Sequence, residues 1–292
     1  MCSEIENNPS ELEKIALAIQ QIKAGDSEQF WSLVQPYQRS LQVTAYSLLR
    51  NVEDAADTVQ DTLLKAFQSL DQLRNEKSFK GWLHTIAINE ARMRMRKARG
   101  ELRQDESAAS EDTPYRPRDF ADWREIPSDA LERKEIWEAV QRALKLLTPP
   151  LQEVFTLRDL QQFSVPETAE ILGITEAQVS VRLHRARLHL REMLAPLFRK
   201  GRPPWMPLQM MPDMPAMMIH RVIRCKKVMQ EIGNYIDGIV TDTLRAQIEK
   251  HLKYCRRCHI LLDTTKKMLY LVGDGMVLIP PIRYTGRPAP ID

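Results

Sequence analysis

Apolar residues recur at intervals of three and four positions along most of the chain, which is the spacing of one face of an α-helix. In the segment 54–67, for example, Ala55, Val59 and Leu63 follow this spacing, and Asp57 and Asp61 lie between them. No regular alternation of strands with helices is evident, and the chain contains only 10 Gly. The pattern therefore predicts an all-α protein.

Two stretches interrupt the helical spacing. Residues 101–129 collect Ser, Asp, Glu and Pro, and residues 200–215 contain prolines that preclude a continuous helix. The methionines of the second stretch fit either a loosely packed tether or thioether ligands of Cu(I). The sequence predicts three helical domains, two linkers and a tail, in the order 11–100, 101–129, 130–199, 200–215, 216–272 and 273–292.

Charge and cysteine content indicate the compartment. The formal net charge is +3, but residues 92–103 and 182–202 are basic whereas residues 105–112 are acidic. The chain has neither a signal-peptide pattern nor a run of about 18 apolar residues, so we expect a cytoplasmic protein without a membrane partner. A reducing compartment favours metal binding over disulfide formation for three of the four cysteines, which are Cys225, Cys255 and Cys258.

The middle domain has the pattern of a helix-turn-helix. A short helix begins at Ser164, which forms a capping box with Glu167, and ends at Gly173, which suits a left-handed turn. Thr175 then caps a longer basic helix over 176–194. The polar side of such a helix fits the DNA major groove, and an ordinary solvated helix is the alternative. The side chains predicted to reach bases or phosphates are Gln178, Ser180, Arg182, Arg185 and Arg187.

Four soft ligands in the last domain predict one Zn²⁺ site. His251 and Cys255 lie four residues apart on one helical face, and the Cys-x-x-Cys turn brings Cys258 to the same point. Cys225 completes a closed tetrahedral site. A closed site leaves no position for a reacting water, so we predict no enzymatic activity. A structural role and a redox-sensing role for the ion both stay open.

Several motifs resemble the sigma factors of bacterial RNA polymerase. Residues 146–194, above all the Pro-Glu-Thr-Ala-Glu-Ile-Leu-Gly run from Pro166, are similar to sigma region 4. Residues 54–67 are similar to region 2.2, and the Trp-Leu-x-x-Ile-Ala-x-Asn series from Trp82 is similar to regions 2.3 and 2.4. Residues 216–272 look like a zinc-binding anti-sigma domain. The chain is identified as a member of the extracytoplasmic-function sigma factors, with that domain fused at its C-terminus.

The resemblance to region 2 implies two binding surfaces in the first domain. One docks on core RNA polymerase through Asp54, Asp57, Gln60, Asp61 and Lys65, and a solvated acidic face is its alternative. The other opens the minus-10 element of promoter DNA, with a base pocket in the 74–78 loop and a cationic surface for the backbone. Its predicted contacts are Asn75, Lys80, Trp82, His84, Asn89, Arg92 and Arg96. A core position is the alternative for Trp82.

The resemblance to region 4 implies that the 176–194 helix reads the minus-35 element. Many relatives have Lys and Ser where this chain has Ser180 and Val181, so the resemblance does not imply which promoter sequence is read. The fused domain implies regulation in cis by folding back on the two sigma regions. We expect promoter-specific transcription initiation, and an anti-sigma or signalling protein as a further partner stays open. The alternative is a DNA-binding regulator or sigma-sequestering adaptor that does not recruit polymerase.

Overall fold

The computed structural model describes residues 9–73, 75–100, 130–198 and 223–276. These ranges are helical almost throughout and contain no strand, so the predicted all-α class is confirmed. Their α-helices are α1 (Pro9–Lys23), α2 (Gln29–Val34), α3 (Gln38–Leu49), α4 (Val52–Gln68), α5 (Phe79–Gly100), α6 (Ala130–Lys145), α7 (Pro149–Phe155), α8 (Val165–Leu172), α9 (Glu176–Phe198), α10 (Cys225–Ile236), α11 (Asp242–Tyr254) and α12 (Arg256–Met276).

The chain forms two compact units that do not follow its linear order. The first unit holds α1 to α5 together with residues 156–173, which include α8, and the second holds α6, α7 and α9 to α12. The middle predicted domain, 130–199, therefore contributes to both units. The predicted linkers 101–129 and 200–215 lie outside the described residues, as do Cys2 and most of the predicted tail.

The core of the first unit forms where the apolar face of α4 meets α3 and α5. Val59 and Leu63 of α4 are buried, whereas the opposite side of the helix carries acidic residues. Asn51 fixes the start of α4, because its Oδ1 accepts hydrogen bonds from the backbone N–H groups of Glu53 (2.8 Å) and Asp54 (3.2 Å). These groups have no partner within the helix, so the cap orients the first acidic turn.

In the second unit, α6 and α7 pack on α9. Helices α10 to α12 contribute to one apolar cluster that includes Val228, Ile248 and Leu261. The apolar side predicted for α9 is buried, at Val179, Leu183, Ala186, Leu190 and Leu194. Leu146 lies before α7, which begins at Pro149, and is 73% exposed, whereas the neighbouring Leu147 is buried.

The helix ends around Gly173 follow the predicted signals. Ser164 Oγ accepts from the N–H of Glu167, and the Glu167 carboxylate accepts from the N–H of Ser164, which is the reciprocal capping box. Gly173 is left-handed, with φ of 66°. Thr175 Oγ1 in turn accepts from the N–H of Gln178 at 3.2 Å. Among the described helices, none is both long enough and apolar enough to cross a membrane.

Candidate nucleic-acid interface and metal centre

The outer face of α4 carries the residues predicted to bind polymerase. Its exposed members are Asp54, Asp57, Gln60 and Lys65. Asp61 is half-buried, and Leu64 beside it is 44% exposed. The face therefore combines carboxylates with one apolar side chain, as protein-binding surfaces often do.

Two residues of α5, Arg94 and Glu90, form ion pairs with this face. Arg94 donates to Asp61 at 2.6 Å and lies 3.6 Å from Asp57, and Lys65 donates to Glu90 at 2.5 Å. Because most of these side chains are partly exposed, each pair contributes at most about 1 kcal/mol to stability. Their main effect is to hold the carboxylates in fixed positions.

The residues predicted to contact the minus-10 element differ in exposure. Asn75, Asn89 and Arg96 are exposed, and Arg92 is half-buried. Trp82 is also half-buried and packs against the core of the first unit. This placement is nearer to the alternative given for Trp82, a core position, than to a DNA contact. Lys80 and His84, by contrast, are buried, with 5% and 0% of their surface exposed. Arg74 of the predicted base pocket lies outside the described residues.

Residues 161–163, which follow α7 in sequence but belong to the first unit, cover Lys80 and His84. His84 Nε2 lies 2.9 Å from Ser40 Oγ, and the same oxygen lies 2.5 Å from Gln161 Oε1, so these two acceptors share the single Ser40 hydroxyl proton. Gln161 Nε2 donates back to the Ser40 carbonyl at 3.1 Å. The Phe163 ring meets the His84 ring edge to face at 4.8 Å, and Lys80 Nζ lies 4.7 Å from its centroid. We call Ser40, Gln161 and Phe163 the neutral cover.

The His84 imidazole is neutral under this cover. Burial lowers its pKa to about 4; the nearby Lys80 ammonium contributes to this net shift, and hydrogen bonding to the Lys80 carbonyl opposes it. Since Nδ1 lies 2.9 Å from that carbonyl oxygen, which can only accept, Nδ1 carries the proton. The ring thus serves as a hydrogen-bonded internal group in this conformation.

The residues predicted to read the minus-35 element lie on α9. Gln178 is exposed, and Ser180, Arg182 and Arg185 are half-buried. The Gln178 amide oxygen accepts from the N–H of Thr175 at 2.9 Å, so this side chain also completes the cap of the helix. The predicted reading surface is therefore partly open to solvent, with its first side chain positioned by the turn.

Arg187, the last predicted DNA contact on α9, is buried and paired within the second unit. Its Nη2 donates to Asp237 Oδ1 at 2.6 Å, and its Nη1 donates to Asp237 Oδ2 at 3.1 Å and to the Gly233 carbonyl at 3.3 Å. The Arg187 side chain is 3% exposed and that of Asp237 is 10% exposed. A DNA phosphate cannot reach Arg187 in this conformation.

The four predicted metal ligands come together. One ligand atom from each of Cys225, His251, Cys255 and Cys258 lies within 4.8 Å of the others. Cys225 Sγ is 3.7 Å from Cys255 Sγ and 3.5 Å from His251 Nε2. A tetrahedral ion with metal–sulfur bonds of about 2.3 Å places its sulfurs about 3.8 Å apart, so these separations fit Zn²⁺.

The charges of the thiols explain why a cation belongs there. A hydrogen bond from Cys258 lowers the pKa of Cys255 to about 4. The same bond, together with burial and the charge of Cys255, raises the pKa of Cys258, and burial followed by the Cys255 charge raises that of Cys225. One thiolate forms readily, but three so close together repel one another. A divalent cation removes that repulsion, and all four side chains can then act as ligands.

Sequence reasoning missed the residues that cover the predicted DNA contacts. Gln161 lies 121 positions from Ser40, and Asp237 lies 50 positions from Arg187. Asp237 lies in the segment 216–272 that resembles the anti-sigma domain, but no local sequence pattern indicates that an arginine pairs with it. Such pairings depend on tertiary packing, so a single sequence carries no signal for them.

Three protein families match the chain. Sigma-70 region 2 matches residues 33–101, sigma-70 region 4 matches residues 137–190, and a zinc-finger family matches residues 225–259. The three segments contain the acidic face of α4, most of α9 and all four candidate metal ligands.

The chain is also similar to characterised bacterial proteins. It is 31% identical to the ECF RNA polymerase sigma factor SigW of Bacillus subtilis over 180 residues, which cover 61% of this chain and 96% of that protein. It is 29% identical to the RNA polymerase sigma-H factor of Pseudomonas aeruginosa, covering 63% of this chain and 95% of that protein. Among solved structures, the sigma factor RpoE bound to the anti-sigma factor NepR from Bartonella quintana matches with 30% identity and a TM-score of 0.43, covering 58% of this chain and 97% of that chain.

Proposed function

Because the chain belongs to the extracytoplasmic-function RNA polymerase sigma factors, we propose which of its surfaces performs each step of transcription initiation. The chain is a sigma factor that binds core RNA polymerase and directs promoter-specific initiation. The observation that carries this conclusion is its alignment with 96% of SigW, over segments that match both sigma-70 regions. A zinc-binding regulatory domain follows these regions and holds one Zn²⁺ ion.

The α4 face is the proposed docking surface for core polymerase. Asp54, Asp57, Gln60 and Lys65 are exposed on it, and Arg94 holds the carboxylate of Asp61 in place. Preset carboxylates lose less side-chain entropy on binding than mobile ones, which favours association. The exposed Leu64 supplies apolar area at the centre of the same face.

The proposed minus-10 surface lies on α5 and the loop before it. Asn75, Asn89, Arg92 and Arg96 are available to follow a separated strand, whereas Trp82 contributes mainly to the core. Lys80 and His84 can reach DNA only after the neutral cover moves away. The described conformation is therefore a closed form of this surface.

The proposed minus-35 surface is the polar side of α9. Arg182 and Arg185 have the chemistry to pair with guanine edges, and Gln178 and Ser180 lie at the start of the helix, where recognition helices enter the major groove. Arg187 is the proposed phosphate contact, and it becomes available only when Asp237 releases it.

The metal site would connect three helices of the regulatory domain. Cys225 begins α10, His251 lies near the end of α11, and Cys255 and Cys258 flank the start of α12. Bound Zn²⁺ supplies a closed, tetrahedral cross-link. We assign no catalysis to this chain, since four protein ligands fill such a site. Action in the cytoplasm follows from its proposed partners, polymerase and promoter DNA.

Association with core polymerase tests the proposed function. We expect full-length, reduced, zinc-loaded protein to bind core enzyme, and Asp57→Lys to weaken that binding by reversing a charge on the α4 face. Asp71→Lys is the matched control, since Asp71 is exposed in the turn after α4. Promoter-specific transcripts should appear with core enzyme present. Binding of DNA without any binding of polymerase would instead support a regulator or adaptor that does not recruit it.

A further inference from the structure

Helix α9 presents three sides with different surroundings. One side packs into the second unit through Val179 and Leu183, and a second side, with Gln178 and Arg185, keeps contact with solvent. The third side follows the helical spacing i, i+3, i+4 and i+7. We call it the α9 flank; it consists of His184, Arg187, Leu188 and Arg191.

The α9 flank packs on the zinc-binding domain. Leu188 lies in one apolar cluster with Val228, Ile248 and Cys258, and Cys258 is also a metal ligand. Arg191 is fully buried, and its Nη1 lies 3.5 Å from Thr264 Oγ1 of α12. The flank is therefore part of that domain's core, and Arg187 beside Leu188 must find a buried partner.

Asp237 supplies this partner at the C-terminal end of α10. The two guanidinium nitrogens of Arg187 meet its two carboxylate oxygens in the parallel arrangement that arginine also forms with phosphate. The Gly233 carbonyl takes a further hydrogen bond from Nη1, and a Cβ at Gly233 would lie 3.5 Å from this nitrogen. The guanidinium of Arg187 thus has a carboxylate and a backbone carbonyl oxygen as hydrogen-bond acceptors from α10 and its C-terminal end.

We propose that the α9 flank is an intramolecular docking surface on which Asp237 takes the place of a promoter phosphate at Arg187. While Arg187 is paired with Asp237 of the zinc-binding domain, its guanidinium cannot bind a phosphate of the DNA backbone. Base-reading side chains such as Arg185 stay partly exposed, so the domain lowers affinity more than it changes sequence preference. This inference rests on the proposed role of α9 in DNA binding and names the residue through which the fused domain regulates it.

Affinity for promoter DNA measured on the full chain tests the inference. We expect Asp237→Asn to raise affinity about fivefold to tenfold, because Arg187 becomes able to release a counterion from the DNA. The slope of log affinity against log salt concentration should steepen by about one. Asp263→Asn is the matched control, since it removes a carboxylate of the same domain that pairs with Lys267 within α12.

A second substitution determines whether the gain passes through Arg187. In the Asp237→Asn background, Arg187→Gln should return both the affinity and the salt slope to those of the unaltered chain. An equal gain from Asp263→Asn, or a gain that survives Arg187→Gln, overturns the proposal.

Two readouts keep the test decisive if Asp237→Asn folds poorly. Zinc content and thermal melting identify an unfolded variant, and hydrogen exchange can then be measured on the unaltered chain. We expect amides of residues 228–241 to exchange faster in the complex with polymerase and promoter DNA, and unchanged protection there contradicts the proposal. Failure to bind polymerase would count against the proposed function but leave the polymerase-free DNA measurements interpretable.

Discussion

The two compact units bury predicted DNA contacts by different chemistry. In the first unit, the neutral cover contacts His84 through the Ser40 hydroxyl and the Phe163 ring, and the same ring faces Lys80. In the second unit, a carboxylate pairs with Arg187 inside a nearly dry pocket. An imidazole can lose its charge on burial, whereas a guanidinium keeps its charge and requires an anion. The covered side chain thus determines which chemistry can cover it.

This difference predicts different modes of release. The neutral cover holds no net charge that DNA could replace, so separating it depends on breaking hydrogen bonds and apolar contacts. The Arg187–Asp237 pair can exchange one anion for another, and DNA phosphate competes for it directly. We therefore expect His84 and Lys80 to become exposed when residues 161–163 move, and Arg187 to become exposed as the concentration of DNA rises.

Loss of the metal site should have the largest effect, and it should expose Arg187 without exposing His84. Cys255→Ser should lower bound zinc to well below one ion per chain, because a tetrahedral site with three remaining ligands binds Zn²⁺ far more weakly. Amides near Arg187 should lose protection from hydrogen exchange, while those near His84 keep it. Cys2→Ser is the control, and zinc at full occupancy in Cys255→Ser would refute the ligand set.

The second largest effect should be a fall in the free energy of unfolding at acid pH, caused by protonation of His84 beneath the neutral cover. The pKa of His84 is about 4 when folded and about 6.5 when unfolded, so the unfolded chain binds more protons between these values. The stabilisation is complete above pH 6.5 and is lost as the pH falls towards 4, by about 2 kcal/mol between pH 7 and pH 5. Urea unfolding at both pH values measures it. His84→Gln should reduce this pH dependence, and an unchanged slope argues against a neutral, buried imidazole.

A third effect, comparable to or smaller than the pH effect at His84, should distinguish the partly exposed Arg185 of α9 from the buried Arg187. Arg185→Ala is expected to reduce discrimination of minus-35 variants by about 1 to 3 kcal/mol in the full chain. Arg187→Gln, by contrast, should leave discrimination unchanged. Binding assays on a panel of promoter variants make the comparison, and equal effects of the two substitutions would remove the distinction between the solvent-facing side and the α9 flank.

The smallest effect concerns an exposed ion pair, as a reference for the buried one. Arg94→Ala should cost less than about 1 kcal/mol of unfolding free energy, and added salt should shrink the difference. The same salt should affect the Arg187–Asp237 pair much less, since water is nearly excluded from it. Urea unfolding at low and high ionic strength measures both. A large, salt-independent cost for Arg94→Ala would show that exposure does not separate the two pairs.

Local features of the fold and the metal centre were predictable from sequence. The capping box at Ser164, the left-handed Gly173 and the cap at Thr175 depend on residues at most three positions apart, and each prediction is confirmed. The fold also brings the four predicted metal ligands together. Here His251, Cys255 and Cys258 lie close in sequence, and thiol chemistry limits what such a cluster can do.

The covers could not be predicted, because they join distant segments. Residues 156–173 belong to the predicted helix-turn-helix domain by sequence but pack in the first unit. Helical spacing indicates that α9 is amphipathic, but it does not indicate which other surface of the protein contacts each of its sides. The binding roles assigned to individual residues therefore stay predictions for the experiments above to test.

The three-sided character of α9 limits how its sequence can change. Each residue of an α-helix turns the next by about 100°, so one inserted residue after Val181 would rotate every later position by that angle. Ala186 would then take the place of Arg187 opposite Asp237, Arg187 would enter the apolar cluster in place of Leu188, and the base-reading side would face another direction. Substitutions on one side can be tolerated singly, but a change of length would disrupt all three at once.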